Sequence, residues 1–287
     1  MIVHSLKEMR DFFYARLCYQ IFITPIPFPL EKQYRDFAER ACEFVLKNRS
    51  ELIIRQTPRH HVIHRFAQPH TTNARKVLIT HGWMSRAAYM VKLIRALHKQ
   101  GYDVYALDFP AHGEAKGLQL PWTDAVMILQ NVINTLGPFY AVIGHSFGGS
   151  MLLNTLNLAC QFPEWKLDIE PERVVLIASP TRMRTPVSKL ARRFGLSGKA
   201  FMELRELFRQ NTFTKIEHLN FRHFAQHGTM PVLCIHGKND HTIRPIESVL
   251  FCQRYPHASL KLIPGIDHVD VLIDTRVEHE VSQFLDR

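Results

Sequence analysis

Ser146 stands between two glycines in Gly144-His145-Ser146-Phe147-Gly148, directly after an apolar run and directly before the small-residue, amphipathic stretch "FGGSMLLNTLNLA". Gly-x-Ser-x-Gly alone is a weak signal, because both residue types are common. Its setting is more specific. The spacing predicts a strand, a sharp turn and a helix, which together expose a serine Oγ at the carboxyl edge of a sheet. Gly144 and Gly148 fit such an elbow because a Cβ at either position would clash. The N-terminus of the following helix favours negative charge developing beside the serine. The chemistry this suggests is nucleophilic attack.

An alcohol is barely ionised at neutral pH, so Ser146 needs a base and a group that orients the base. The chain holds 17 histidines, and closeness in sequence does not choose among them. Position relative to strands does. His268, in "IPGIDHVDVL", follows the last apolar run and precedes the final helical pattern; Asp240, in "LCIHGKNDHTIRP", ends the run before it. Both therefore emerge at the sheet edge that carries Ser146. Rivals lie nearby: Asp267 and Asp270 flank His268, and His241 flanks Asp240. Asp267 is too close along the chain to orient His268 from behind, and Asp270 reads as a cap of the terminal helix. An acyl-transfer site also needs backbone donors for an oxyanion. In "LITHGWMSRAAYM" a strand ends at His81-Gly82 and turns into a helix near Ser85. The amides of Trp83 and Phe147 would then converge on one point, with His81 holding its loop by hydrogen bonds and the Trp83 ring covering it.

The elements that must position these groups are legible as six apolar, β-branched runs. They are "KVLITHG" (76–82), "DVYALDFP" (103–110), "YAVIGHS" (140–146), "RVVLIASP" (173–180), "PVLCIHGKND" (231–240) and "SLKLIPG" (259–265). Most run apolar without alternation, as strands buried on both faces do. Helical patterns separate them at about 86–99, 122–136, 148–161, 245–255 and 275–285. Such alternation implies an α/β fold with a mainly parallel central sheet and helices on both sides. "ELIIRQTP" and "HHVIHRFAQ" read as a more polar antiparallel pair at the sheet edge. The first fifty residues read as helices packed against the outside, broken by the proline-stiffened "TPIPFPLEKQY". About fifty residues without a strand separate "RVVLIASP" from "PVLCIHG". There "VSKLARRFG" and "KAFMELRELFRQ" read as helical, with Phe201, Leu204 and Phe208 on one face. An insertion of that size is functional or a small subdomain.

At 287 residues, 46% hydrophobic and 22% charged, the chain has ample material for one large α/β domain or two small ones. No internal repeat occurs in the period range of about 20–50 residues. The five cysteines are widely spaced and form no C-x-x-C pair, which points to neither a disulfide framework nor a zinc ribbon. The N-terminus carries no continuous apolar core with a small-residue cleavage site, so the expected compartment is a reducing cytoplasm. "FFYARLCYQIFI" (12–23) is too short to span a bilayer and carries Arg16. It reads as a helix packed on the body, with peripheral membrane contact the minority reading.

Taken together, "HGWMS", "DFPAHGEA", "GHSFGG", "HGKNDHTIRP" and "GIDHVDVL" resemble the oxyanion loop, the D-x-P-G-H-G turn, the nucleophile elbow, the acid loop and the histidine loop of the α/β-hydrolase superfamily. The resemblance covers about residues 76–287, and the order Ser, Asp, His is the one that superfamily uses. Ala111 departs from the pattern, standing where many relatives have glycine, which should stiffen that turn. The resemblance implies a serine esterase or lipase-like hydrolase, a carboxylesterase acting on small-molecule acyl esters through an acyl-enzyme, with no metal or organic cofactor. An acyl thioesterase of the CoA type and a non-catalytic binding protein on the same fold are the alternatives. Serine at the elbow argues against dehalogenase and epoxide hydrolase relatives, which place aspartate there. These readings divide the chain into an N-terminal helical extension (1–50), a hydrolase core (51–180 and 230–287) and a helical cap or lid (181–229) inserted after the sixth strand.

The formal net charge of +10 is concentrated in that insertion, where ten Lys and Arg stand against three acids. Such a surface either steers an anionic substrate or membrane, or is an ordinary solvated helix face. Basic patches without regularly interleaved aromatics make no nucleic-acid case. His60, His61 and His64, and likewise His218, His223 and His227, lack a nearby carboxylate or thiolate at a ligand spacing, so no metal site is expected.

Overall fold

The six apolar runs form strands of one eight-stranded sheet in a computed structural model that describes residues 6–26, 31–69, 71, 73–212 and 219–287. The strands are β1 (Glu51–Arg55), β2 (His61–Phe66), β3 (Lys76–Thr80), β4 (Asp103–Asp108), β5 (Ala141–His145), β6 (Arg173–Ile177), β7 (Val232–Gly237) and β8 (Ala258–Ile263). Their order is β1-β2-β4-β3-β5-β6-β7-β8. The β1–β2 and β2–β4 pairs are antiparallel, and every other pair is parallel. Every residue of β4, β5 and β7 is buried, the reason these runs show no alternation. Of the N-terminal pair only β1 is the exposed edge; β2 is almost wholly buried beneath it.

The order of the sheet reverses at β3, with β4 on one side and β5 on the other. Open α/β sheets bind ligands outside the carboxyl ends of the strands at such a switch point. Here those ends carry His81-Gly82-Trp83 and Ser146.

Helices cover both faces. One face carries α2 (Lys32–Asn48), α3 (Val91–Lys99) and α10 (Thr275–Leu285), which pack Val45, Ile94, Leu97, Val281 and Leu285 into one buried cluster. The other carries α4 (Trp122–Leu136), α5 (Phe147–Ala159) and α9 (Ile246–Cys252) over a second cluster that includes Leu129, Met151, Leu156 and Phe251. The inserted segment between β6 and β7 forms α6 (Arg184–Arg193), α7 (Gly198–Thr212) and a short α8 (Arg222–His227) that the periodicity did not announce. Leu204 and Phe208 are buried and Phe201 is half-buried, in keeping with one apolar face.

The first helix, α1 (Leu6–Ile23), packs chiefly on this insertion. Tyr19 and Phe22 both meet the Phe208 ring edge-on at 5.1 Å, and Glu8 pairs with Lys199. Pro27 and Pro29 of the proline-stiffened break lie outside the described residues.

Candidate active site

Ser146 is the N-cap of α5 and adopts φ +49°, ψ −113°, a sparsely populated conformation that costs about 1–3 kcal/mol unless its surroundings impose it. They do. The Ser146 amide donates to Ile177 O at 2.8 Å, and the Gly148 amide donates to His81 O at 3.0 Å. A Cβ on Gly144 would come within 2.3 Å of Gly149 Cα, and one on Gly148 within 2.5 Å of Thr80 Oγ1. The turn from β5 into α5 is therefore as tight as its glycines suggest.

His268 Nε2 lies 2.9 Å from Ser146 Oγ, and His268 Nδ1 lies 2.7 Å from Asp240 Oδ2. The carboxylate can only accept, so Nδ1 carries the proton and the Nε2 lone pair faces the hydroxyl. Asp240 is buried, and its other oxygen accepts from the amides of Thr242 and Ile243, both at 2.8 Å. Burial pushes this carboxyl up, but hydrogen bonds from His236 and His268 outweigh it and hold the group well below the usual carboxylate range.

The rival acids are occupied elsewhere. Asp267 Oδ1 accepts from the amides of Val269 and Asp270, closing its own turn. Asp270 does not cap the last helix, as its position suggests. Asp274 does, accepting from the Arg276 amide at 2.9 Å, because a 3-10 turn (Asp270–Leu272) intervenes before α10 begins. Asp270 instead accepts from Tyr34 Oη at 3.1 Å, fastening α2 to the histidine loop. His241 is exposed and takes no part in the Asp240 hydrogen bonds.

The Trp83 and Phe147 side chains meet at 5.1 Å between ring centroids. A Cβ on Gly82 would lie 3.2 Å from Ser146 Cβ, so the loop after β3 presses directly on the elbow. Among the described residues neither the Trp83 nor the Phe147 amide donates to another protein group. Two free amides beside a serine are the donor set an oxyanion needs.

Around Ser146, Asp240 and His268 further residues brace the loops, and of these only His81 is expected from the sequence to do so. Asp108 accepts from the Ala87 amide at 2.6 Å, from the Glu114 amide at 2.9 Å and from His64 Nε2 at 3.1 Å. It therefore joins the loop after β3 to the loop after β4. His64 Nδ1 accepts from Arg49 at 3.0 Å, which fixes its Nε2–H on Asp108. His112 donates Nδ1–H to Pro110 O at 2.8 Å and accepts from the Met84 amide at 3.1 Å, tying the residue after Trp83 in place. His81 does hold its loop, donating to Gly82 O at 2.7 Å and accepting from the Phe109 amide at 3.2 Å. His145 donates Nε2–H to His268 O at 3.1 Å, and His236 lies 3.2 Å from Asp240 Oδ2. Their signal was their place inside the quoted motifs, beside residues with an evident part to play.

His60, His61 and His64 are engaged separately: His60 accepts from the Lys116 amide and His61 bonds Arg59 O. His218 lies outside the described residues. Among the described residues no group of three or more His, Cys, Asp or Glu is arranged to hold a metal ion.

Burial pushes His112 and His145 down to about 3, reinforced by His81 and His268 respectively. An unfolded histidine titrates near ~6.5. As pH falls, the unfolded chain therefore takes up these protons first, and stability is lost between about pH 6.5 and about pH 3. Each histidine contributes a slope of about 1.4 kcal/mol per pH unit in that window. Thermal unfolding followed from neutral to mildly acid pH should show a Tm that falls steadily. A constant Tm would contradict the neutral, buried state of both side chains.

The alpha/beta hydrolase family model matches residues 77–275. The pimeloyl-[acyl-carrier protein] methyl ester esterase of Nitrosospira multiformis is 22% identical over 236 residues, covering 68% of this chain and 88% of that protein. Among solved structures, an esterase of Pyrococcus furiosus superposes with a TM-score of 0.62 at 18% identity, covering 92% of this chain and 97% of that one. A butyrate-bound esterase of Thermogutta terrifontis gives 0.62 at 15% identity, covering 84% and 94%. At such identities the superpositions speak to the fold.

Proposed function

From a chain that belongs to the alpha/beta hydrolase family, we propose a serine hydrolase that cleaves carboxylic esters through an acyl-enzyme. The observation that carries this reading is the unbroken run Ser146 Oγ, His268, Asp240, with contacts of 2.9 and 2.7 Å. His268 Nε2 takes the proton as Ser146 Oγ attacks the ester carbonyl carbon. The amides of Trp83 and Phe147 donate to the oxyanion of the tetrahedral intermediate, and the dipole of α5 adds to them. His268 then returns the proton to the leaving alkoxide as the C–O bond breaks. A water molecule repeats the sequence on the acyl-enzyme, losing a proton to His268, and Ser146 is regenerated. The route uses neither a metal nor an organic cofactor, and the substrate is a small-molecule acyl ester.

The relative from Nitrosospira multiformis is named for a methyl ester, and an ester is the simplest substrate for this set of groups. Helices α6–α8 act as a cap over the elbow in this reading, on a core formed by 51–180 and 230–287. The five cysteines are free, as suits a reducing cytoplasm.

The reading is tested with p-nitrophenyl esters from acetate to octanoate beside the matching acyl-CoA thioesters. Turnover of the esters with a kcat/KM above that for the thioesters is expected. Exclusive turnover of the thioesters would transfer the function to an acyl thioesterase, and no turnover of either by folded protein would leave a binding protein on this fold.

A further inference from the structure

Helix α1 is apolar on two faces, and only one of them is packed. Ala15, Cys18, Tyr19 and Ile23 are buried, with Tyr19 against Phe208 of the insertion. On the opposite face Leu6, Met9, Phe13 and Leu17 recur every three or four residues and are 85%, 54%, 64% and 41% exposed. A helix with that spacing presents a continuous apolar stripe to solvent. Lys7, Arg10 and Arg16 border it and are exposed. Arg10 lies 3.8 Å from Asp11 with its own side chain mostly in solvent, and Arg16 stacks on Phe12. The two acids of this helix are turned away, since Asp11 is buried and Glu8 pairs with Lys199. The open face is therefore apolar and cationic, with no acid on it.

The neighbouring insertion continues the character. Met202 on α7 is exposed, as are Arg192, Arg193 and Phe194 at the end of α6. The far end of α1 reaches the loop after β4, where the Leu120 amide donates to Ile23 O at 2.7 Å. That end of α1 therefore lies beside the loop leading into α4.

We propose that this face of α1, with the adjoining ends of α6 and α7, docks on an anionic phospholipid bilayer. An interfacial helix lays its apolar residues among the acyl chains just below the headgroups while cations beside them meet anionic lipid. The two signals together give stable attachment where either alone is weak. Charge selects this occupant. The chain carries +10, so a second copy would bring like charge to like, and a polyanion without an apolar phase would leave Leu6, Phe13 and Leu17 in water. Among the described residues no helix is long and apolar enough to cross a membrane, so α1 would lie on the bilayer. The proposal stands independently of the esterase reading.

The test is co-sedimentation of the full chain with phosphatidylcholine vesicles, with and without phosphatidylglycerol. Two variants accompany it: Phe13→Asp with Leu17→Asp, and Lys7→Glu with Arg10→Glu and Arg16→Glu. All of these side chains are exposed, so circular dichroism and Tm should stay close to those of the parent chain. Binding is expected to be at least about tenfold tighter with phosphatidylglycerol and to fall by about tenfold or more in each variant. Equal binding to both vesicles, binding to neither, or variants that bind like the parent chain would overturn the proposal. So would a dimer that the Phe13→Asp, Leu17→Asp variant dissociates, because the face would then belong to a second copy. Because the readout is lipid binding, a protein without esterase activity leaves the test intact.

Discussion

Ser146→Ala is expected to lower kcat for a p-nitrophenyl ester by about a million-fold, leaving only the residual rate that oxyanion donors and binding supply. The substitution removes a single oxygen whose contact in the site is His268 Nε2 at 2.9 Å. The strained φ of +49° is held by the backbone, through the Ser146 amide on Ile177 O and Gly148 on His81 O, not by the hydroxyl. Alanine therefore keeps the elbow, and Tm should move by no more than a few degrees. The loss would fall on kcat rather than KM, because attack by Oγ begins only on the way to the transition state. Steady-state kinetics with burst titration checks this. Undiminished turnover would place the nucleophile elsewhere.

Asp240→Asn should cost about four orders of magnitude in kcat with KM little changed, through a different cause. Asparagine preserves the shape and can still accept from the Thr242 and Ile243 amides. Oriented so, its NH2 group faces His268 Nδ1, where the carboxylate accepted at 2.7 Å. The imidazole must then carry its proton on Nε2, pointing at Ser146 Oγ, and can no longer take one. Nor is there a negative charge to stabilise the imidazolium. The same change has a stability signature. Asp240 is held below the ordinary carboxylate range, so its contribution is complete above an unfolded value near ~4 and is lost as pH falls through the lower folded value. The variant should lose that acid-side dependence along with its activity, and Tm against pH beside kcat measures both.

The parallel sheet was readable in the sequence because short, β-branched, uninterrupted runs such as "KVLIT" and "VLCIHG", bounded by Gly, Pro, Ser or Asp, read as strands buried on both faces. Their strand–helix rhythm then fixed which edge each following loop occupies. That is why Ser146, Asp240 and His268 could be named together before any distance was known: each ends or follows a strand at the same edge. Asp270 is an exception. A carboxylate a few residues before a helix looks like a cap, but a 3-10 turn moves the true N-cap to Asp274. Ala111 likewise does more than stiffen its turn. It sits at φ +62°, a left-handed conformation that glycine reaches without the roughly 1–2 kcal/mol it costs alanine.

Other roles depend on contacts between distant segments, which no local pattern encodes. Asp108 looks like the end of a strand, yet it gathers the Ala87 and Glu114 amides and His64. His112 serves the loop after β3 from the loop after β4. Helix α1 packs as an outer helix should, but on the insertion, and its apolar residues divide between a packed face and an open one. A summed hydrophobicity cannot separate those two faces.

The proposed function stands on Ser146 as the nucleophile. Its most direct test is intact mass spectrometry after treatment with a fluorophosphonate, which phosphonylates an activated serine and loses fluoride. One adduct per chain is expected, mapped by peptide sequencing to Ser146, formed in step with loss of ester hydrolysis and absent from Ser146→Ala. Folded protein that takes up no adduct, or an adduct that persists in Ser146→Ala, would contradict it.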